Sequence, residues 1–475
     1  MNDGLEKRMK KTKVVLLCGL FCLISSTILF ASSAKFNLGL GLNYTLTQSK
    51  DTPDINKASH KLGLEVSPSF SYGKFAMKLD AHLFFEVNPF SPDFGFWPDN
   101  WLPPDRKTED SDFAYAMRVA SHYSGIINYI TWGSRTDDIY FRWGKLNGYT
   151  MGDGALLTSY HDTTVDRRAT LPGITFKLDA RAFNFPWLGF EFVTNDIFHP
   201  SLLGARLFVR PCTATTIPVI KDMEVGLSFV TDPYGHSILG TNVDTGNTVV
   251  KETIPPLTNV AIDVVLPLLS QKWIGLSFYT DFIMQFPDQK VLGSSHAVRF
   301  GLGGAVTPWI LFNGAVTFPT GNGFIPNYFE TGFNEWTEKD LANNRLQVGE
   351  MRFDGRLGVQ VLDTAIYAGV LAKSDFSAAE GWNNYSFGMR LHIDKDLLNF
   401  LGLDINYDKL YPHSDTKGTE PFGKGMFTLK NVSIGMDALV TIRPVDLDLG
   451  LSVAFDEDGK STGVKFDIGL RFSFF

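Results

Sequence analysis

The last twelve residues, 464–475, read VKFDIGLRFSFF, and apolar residues occupy alternate positions through them. Successive side chains of a β-strand point to opposite faces of the sheet. The apolar row comprises Val464, Phe466, Ile468, Leu470, Phe472 and Phe474, and Phe475 follows as one additional aromatic residue. The segment therefore predicts a strand with one face suited to hydrocarbon and the other to water.

The same alternation recurs along most of the chain, most clearly near 74–87, 428–442 and 446–455. Counting all such segments predicts about 20 strands, within a range of 18–22, and each of the clear ones is long enough to cross a bilayer when tilted. Residues 113–123 are assigned to a short helix, because an even strand count excludes them and their apolar residues fit helical spacing. The pattern predicts an all-β fold, a transmembrane antiparallel up-and-down β-barrel with long outer loops.

The N-terminal residues have the order of a secretory signal peptide. An uncharged run at 14–30 separates a basic segment from the small residues Ser32, Ser33 and Ala34. A membrane anchor is the alternative, since 17 residues lie at the short limit of a spanning helix. We expect residues 1–34 to be removed and the mature chain to begin at Lys35. Cys212 is then the one remaining cysteine, which excludes an intrachain disulfide.

Residues 35–475 are expected to form a single barrel domain, because no linker or low-complexity tract interrupts them. No apolar run of about 20 residues follows the leader, which excludes a helical membrane protein. The mean hydropathy of -0.01 fits a barrel whose lipid-facing and lumen-facing residues alternate. A net charge of -8 gives no basic surface for nucleic acid.

A terminal strand of this kind, in a chain that opens with an export leader, resembles the C-terminal recognition strand of bacterial outer-membrane β-barrels. In that class the terminal Phe is in phase with the apolar row, whereas here Phe474 is in phase and Phe475 lies one residue further. The resemblance implies an integral protein in the outer membrane of a diderm bacterium. It implies outer-membrane lipid, the barrel-assembly machinery and periplasmic chaperones as partners. The assembly signal would comprise Phe466, Ile468, Leu470, Phe472, Phe474 and Phe475.

A second resemblance covers about 40 residues, IYFRWGKL at 139–146, TMGDG at 150–154 and the Arg167-Arg168 pair. This stretch of sequence is similar to a segment of uncharacterised large barrels of diderm bacteria, and the similarity implies no activity. Its glycines allow positive φ or close approach of the backbone. The single carboxylate of the Gly-Asp-Gly bend is too few for a calcium site, so neither a metal nor a cofactor is predicted.

Charged residues fall on the lumen-facing side of the predicted strands, where they avoid lipid. We select as selectivity candidates those that repeat at a spacing of two or four on one strand face, namely Arg206, Arg210, Arg352, Arg356, Asp446 and Asp448. Rows of Arg opposite rows of Asp would set a transverse field that orients and selects polar solutes. The alternative is that these charges neutralise each other and hold a wide barrel round.

Loop 88–112 interleaves five large aromatic residues with five prolines, an apolar content that a freely solvated loop does not need. The two interpretations are an inward constriction and a lid that packs on neighbouring loops.

The resemblance and the charged lumen together imply an outer-membrane pore for passive diffusion of small polar or anionic solutes. One alternative is a structural or surface-exposed, adhesin-like barrel whose outer loops are the function. Another is a transporter of hydrophobic solutes. An enzyme is not predicted. His161 adjoins Asp162 in a loop, and His82, His392 and Asp80 could face the lumen, but a lone histidine on a polar wall is more often solvated than catalytic.

Overall fold

A computed structural model describes most of the chain from Lys35 onward. The described residues are 35–49, 59–87, 94–97, 103, 106, 111–146, 148–158, 160, 172–198, 200–241, 248–271, 273–287, 295–307, 309–329, 345–361, 366–378, 381–393, 401–409, 429, 432–442, 445–455 and 459–474. The first strand begins at Lys35, the residue that follows the predicted leader.

The described elements are mostly strands, with two helices and one short 3-10 turn. The strands are β1 Lys35–Ser49, β2 Ser59–Tyr72, β3 Phe75–Leu79, β4 Ala81–Val87, β5 Phe94–Trp97, β6 Ile127–Trp132, β7 Ile139–Gly144, β8 Ile174–Asp179, β9 Leu188–Thr194, β10 Leu203–Val209, β11 Glu224–Asp232, β12 His236–Thr241, β13 Thr248–Ile254, β14 Leu257–Gln271, β15 Ile274–Pro287, β16 Ser295–Val306, β17 Ile310–Pro319, β18 Glu350–Val361, β19 Ile366–Ser377, β20 Gly381–Ile393, β21 Leu401–Lys409, β22 Val432–Ile442, β23 Val445–Phe455 and β24 Ser461–Phe474. The helices are α1 Asp112–Ser124 and α2 Pro218–Lys221, and the 3-10 turn is Ala180–Phe183.

Neighbouring strands of the wall pair antiparallel in chain order, and the first strand pairs with the last. β3 and β4 form one strand interrupted at Asp80, since both pair with β2. With β5 and the β12–β13 hairpin set aside, the wall has 20 strands. It closes through β1 and β24, where Leu38 lies opposite Phe474 and Leu42 opposite Leu470. Closure leaves no sheet edge, so every wall strand has a pairing partner on both sides, as a bilayer requires. The predicted fold class and strand number are confirmed.

The alternation in the sequence separates an apolar outer face from a polar inner face. On β10, Arg206 is 1% exposed and the next residue, Leu207, is 47% exposed. On β14, Asp263 is 2% exposed and Ile262 is 46% exposed. A charged residue on the lipid side would cost several kcal/mol near the midplane. The strand parity inferred from the sequence therefore orients these charges toward the lumen.

Large aromatic side chains cluster at the end of the barrel that carries both ends of the strand series. They occupy turns and strand ends there and are substantially exposed, as for Tyr72, Trp132, Phe183, Phe185, Trp187, Trp273 and Trp309. Amphipathic aromatic rings favour the boundary between hydrocarbon and water. This row marks one membrane interface, at the end of the barrel where the strand series begins and ends.

Two connections contain further strands. Loop 88–112 contains β5, which pairs with β4, and the connection between β11 and β14 contains the β12–β13 hairpin. β8 ends at Asp179, where the Asp179 side chain accepts a hydrogen bond from the Arg181 backbone and starts a 3-10 turn.

The helix predicted at 113–123 is confirmed as α1. Ser111 caps it by accepting a hydrogen bond from the Ala114 backbone at 3.1 Å, and its last turn contacts the β9–β10 connection through Ser121 and Asp196 at 2.9 Å. Within the described residues, no helix is long and apolar enough to cross a membrane. The position of loop 88–112 relative to the lumen was left open between two interpretations, and most of that loop lies outside the described residues.

Candidate lumen site

After β7 the chain turns into the barrel instead of continuing along the wall. Gly144 makes the turn with φ of +125°, and an added Cβ would lie 2.3 Å from the Asn128 carbonyl oxygen, so only glycine fits. The residues that follow, 145–160, are called the inward segment. A backbone bridge between Tyr149 and Tyr160 and a bond from the Met151 N–H to the Leu157 carbonyl close it into a loop.

The inward segment is anchored at its base by Arg135. Its guanidinium donates to the backbone carbonyls of Gly148 and Thr150 at 3.0 and 2.8 Å. It also lies 4.7 Å from the centre of the Tyr149 ring, a cation–π contact. Burial raises the pKa of the Tyr149 hydroxyl. The ring is therefore neutral at physiological pH, which suits a side chain withdrawn from water.

Apolar side chains of the inward segment form one cluster with the inner wall and with a second segment, residues 321–329. We call this cluster the apolar plug. From the inward segment it includes Leu146, Tyr149, Met151, Ala155, Leu156, Leu157 and Tyr160. From the second segment it includes Phe324, Ile325, Tyr328 and Phe329. From the wall it includes Val193, Val230, Ala261, Ile283 and Ala297, all on the inner face and toward the outer end.

The tip of the inward segment is the Gly152-Asp153-Gly154 bend. Gly152 and Gly154 have φ of +56° and +89°. The Gly152 N–H donates to Glu191 at 3.2 Å, and a Cβ on Gly152 would lie 2.7 Å from Nε of Arg206. The interpretation that these glycines permit positive φ and close backbone approach is confirmed.

Arg206 lies beside the tip and contacts three carboxylates. Its Nη2 donates to Asp263 at 2.6 Å, its Nε donates to the other Asp263 oxygen at 3.3 Å, and its Nη1 lies 2.8 Å from Glu224. Glu191 is a more distant partner at 3.9 Å. Such a buried guanidinium is retained only when carboxylates offset its charge.

Arg210 and Arg299 are paired in the same way on either side of the tip. Arg210 donates to both oxygens of Asp179, at 3.1 and 2.8 Å, and contacts Glu224 at 3.1 Å. Arg299 lies 2.9 Å from Asp281 on the neighbouring strand and 3.4 Å from Asp153 of the tip. The tip is thus tied to the wall at two points, by Asp153 to Arg299 and by the Gly152 N–H to Glu191.

The six selectivity candidates do not come together at one place. Arg206 and Arg210 lie on β10, Arg352 and Arg356 on β18, and the two aspartates on β23. Arg352 makes a two-bond contact with Asp375, at 2.5 and 2.8 Å. Asp446 accepts a hydrogen bond from Thr441 at 2.6 Å, and Asp448 shares its strand face by alternation.

The selection from spacing along single strands missed the partners on neighbouring strands. Asp281 lies directly opposite Arg299, and Asp375 lies directly opposite Arg352, in the registers of their strand pairs. Their contacts depend on register, which spacing along one strand does not contain. The signal that would find them is a pair of opposite charges about equidistant from the connection that joins their two strands.

Two cavities flank the tip of the inward segment. The larger, about 420 Å³, is bounded by charged residues that include Lys177, Arg181, Arg210 and Glu224, and by Ser277. The smaller, about 120 Å³, is bounded by Arg299, Arg356, Asp354 and Lys373. Asp153 borders both. The tip thus divides a charged interior.

No family model matches the chain, and no curated protein matches it. Solved structures to which it is similar include OpdL of Pseudomonas aeruginosa, at 11% identity over 94% of this chain and 99% of that one, with a TM-score of 0.34. OccAB4 of Acinetobacter baumannii gives 11% identity, the same coverage and a TM-score of 0.33. OprD of Pseudomonas aeruginosa is 10% identical over 94% of each chain, with a TM-score of 0.29. With its closed wall, apolar outer face and aromatic row, this chain is a 20-stranded β-barrel of the bacterial outer-membrane type.

Proposed function

We propose that this barrel is an outer-membrane pore through which small polar solutes diffuse passively. The observation that carries the proposal is the charged interior. Ionised side chains from β8 to β19 surround a tip that narrows the lumen but leaves cavities of about 420 and 120 Å³ beside it. Charged groups lining a constriction orient polar solutes and disfavour apolar ones.

The test is single-channel conductance of the purified, folded protein in a planar lipid bilayer. We expect stepwise, ohmic conductance in KCl that is absent from protein denatured before addition. A folded, heat-modifiable barrel that gives no conductance under any voltage would overturn the proposal.

A preference for anions is the narrower part of the proposal, and it depends on Arg356. The smaller cavity, which Arg356 borders, is lined by three cationic side chains, Arg299, Arg356 and Lys373, and by two carboxylates, Asp153 and Asp354. In a KCl gradient, Arg356→Gln is expected to shift the reversal potential toward cations, and Arg352→Gln, on the same strand face, is expected to shift it less. Equal shifts would show that the position of the cavity does not decide selectivity.

A structural or surface-exposed barrel is the second candidate, and the apolar plug favours it. Leu157, Leu202 and Phe329 are at most 1% exposed, so part of the outer lumen is filled by side chains. A barrel that is non-conducting but whose outer loops bind antibodies on intact cells would support this candidate over a pore.

We also propose that residues 1–34 are cleaved on export and that β24 is read by the barrel-assembly machinery, with periplasmic chaperones carrying the chain. The support is the apolar row of β24, which pairs with β1 and β23 in the wall. Deleting residues 472–475 is expected to abolish assembly and leave protease-sensitive chain in the periplasm. A normal heat-modifiable barrel after the deletion would contradict the proposed signal.

A further inference from the structure

The outer part of the lumen along β9 to β16 excludes water. Val193, Val230, Ala261 and Ala297 point inward there, and each is 0% exposed beneath the apolar plug. Polar inner-face residues at the same level are also buried; Gln285, for example, is 1% exposed. A hydrophilic solute has no route through such a cluster, because desolvating its polar groups without replacing their hydrogen bonds is costly.

Hydrogen bonds from wall side chains join the second segment of the plug to the wall. The Gln285 side chain donates to the Ile325 carbonyl at 2.9 Å and accepts from the Ile325 N–H at 2.8 Å. Asn327 adds a hydrogen bond to Asp354 on β18 at 3.0 Å. The plug is thus attached to the wall at several points, so this half of the lumen is closed at its outer end.

The inner face of β20 to β23 is exposed to water instead. Arg390 and Ser452 are exposed, and so is Asp437. The side chain of Asp404 is 59% exposed. Their inward direction follows from alternation, since Met436 and Leu451, the neighbours of Asp437 and Ser452, lie on the opposite, apolar face.

These exposed residues span much of the barrel height. Asp404 lies near the start of β21, at the end of the barrel that carries the aromatic row. Arg390 lies one strand away on β20, opposite Asn406. Ser452 lies toward the other end of β23, opposite Gly435. Water-accessible inner-face residues therefore occur at several levels along one side of the lumen.

We propose that the solute passage is off-centre and runs along the inner face of β20 to β23, past Arg390, Asp404, Asp437 and Ser452. This inference rests on the proposed pore function and assigns the residues that a solute meets. Arg390 with Asp404 and Asp437 presents both signs of charge, which suits small polar solutes that carry an ammonium, a carboxylate or both. Arg356, two strands from β20, lies at the edge of this passage.

The test uses cysteines placed on the two sides of the plug, in the full chain with Cys212→Ser as background. Ser452→Cys lies in the proposed passage. Ser277→Cys is the matched control, a serine that also faces inward but borders the 420 Å³ cavity beneath the plug. Ala261→Cys, at 0% exposure, is the buried control. Each variant is reconstituted in a planar bilayer and treated with a charged methanethiosulfonate reagent, and modification is measured by mass.

We expect the reagent to modify Ser452→Cys with a stepwise loss of conductance, to modify Ser277→Cys without such a loss, and to leave Ala261→Cys unmodified. Loss of conductance in the Ser277→Cys variant, or none in a modified Ser452→Cys variant, would overturn the off-centre passage while leaving the pore intact. Absence of conductance in the folded Cys212→Ser background would overturn the pore and the passage together.

Discussion

Arg352 and Asp375 lie opposite each other on β18 and β19, and both are nearly inaccessible to water, at 5% and 3% exposure. A buried ion pair gains little over an apolar pair of the same shape, but breaking it leaves an uncompensated charge. The same holds for Arg206 with Asp263 and for Arg299 with Asp281. For these three pairs, removal of one partner is therefore predicted to destabilise the fold more than removal of both.

Arg352→Gln is expected to lower the free energy of unfolding by about 3–5 kcal/mol, because Asp375 remains buried without its guanidinium. The measurement is reversible urea unfolding of the folded barrel in vesicles. The double variant Arg352→Met, Asp375→Leu removes both charges and is the control, and its stability is expected to lie close to that of the unmodified protein. Equal destabilisation of the single and double variants would contradict this account.

Gly152 is the residue on which docking of the inward segment depends most directly. Gly152→Ala adds a Cβ that would meet Nε of Arg206 at 2.7 Å, at a φ of +56° that costs a residue with a side chain about 1–2 kcal/mol. We expect the free energy of unfolding, measured in urea in vesicles, to fall by about 1–2 kcal/mol. Gly314→Ala, whose Cβ would have no neighbour closer than 3.9 Å, is the control and should be as stable as the unmodified protein. Equal stability of the two variants would mean that the tip does not dock on Arg206 as described.

Individual strands are organised by a period of two, and this constraint is strict because a shift of one residue exchanges the lipid face and the lumen face. On β23, Leu447, Leu449 and Leu451 form one row and Asp446 and Asp448 the other. Elements outside the wall follow other rules. β5 and the β12–β13 hairpin extend the sheet structure beyond the wall, and α1 contacts the β9–β10 connection.

Leu449→Arg lies near the middle of β23 on the apolar face. If that position is near the bilayer midplane, the substitution is expected to lower the free energy of unfolding by about 2–4 kcal/mol. Asp448→Asn, the adjacent residue on the inner face, is expected to fold normally. Both are compared by unfolding in vesicles and by heat-modifiability. An equal loss of stability in the two variants would show that the lipid face and the lumen face of β23 have been exchanged.

The closed wall places both ends of the strand series at one end of the barrel, with the aromatic row. An even number of antiparallel strands requires this arrangement, and bacterial single-chain barrels place that end in the periplasm. Cys212 follows β10 at the same end and is a free, partly exposed thiol. The orientation of the whole barrel can therefore be tested at one side chain.

In intact cells, a membrane-impermeant thiol reagent is expected to leave Cys212 unmodified, and to modify it once the outer membrane is permeabilised. Mass spectrometry of the purified protein measures the modification. A cysteine introduced in an outer connection, Ser201→Cys in the Cys212→Ser background, is the control and should react in intact cells. Labelling of Cys212 in intact cells would reverse the proposed orientation.

The amino-acid sequence determined the fold class, the strand parity and the helix at α1, because each depends on local periodicity. Alternation within a strand assigns its two faces, as for Arg206 and Leu207, without knowledge of its neighbours. An even strand count excluded 113–123 from the wall, and the helical spacing of their apolar residues assigned them to a helix. The Gly-Asp-Gly bend was recognisable as a place of close backbone approach, because glycine lacks a Cβ and adopts positive φ without strain.

Only the tertiary structure decided where the lumen is closed and which charges are paired. Contacts such as Arg299 with Asp153 join residues 146 positions apart, and such long-range contacts have no periodic signal in the sequence. The partners Asp281 and Asp375 depend on strand register. The apolar plug combines leucines and aromatics from two loops with valines and alanines of the inner wall. Considered strand by strand, these valines and alanines do not differ from other residues of the lumen surface. Burial is a property of the assembled barrel, because it depends on what fills the space opposite each side chain.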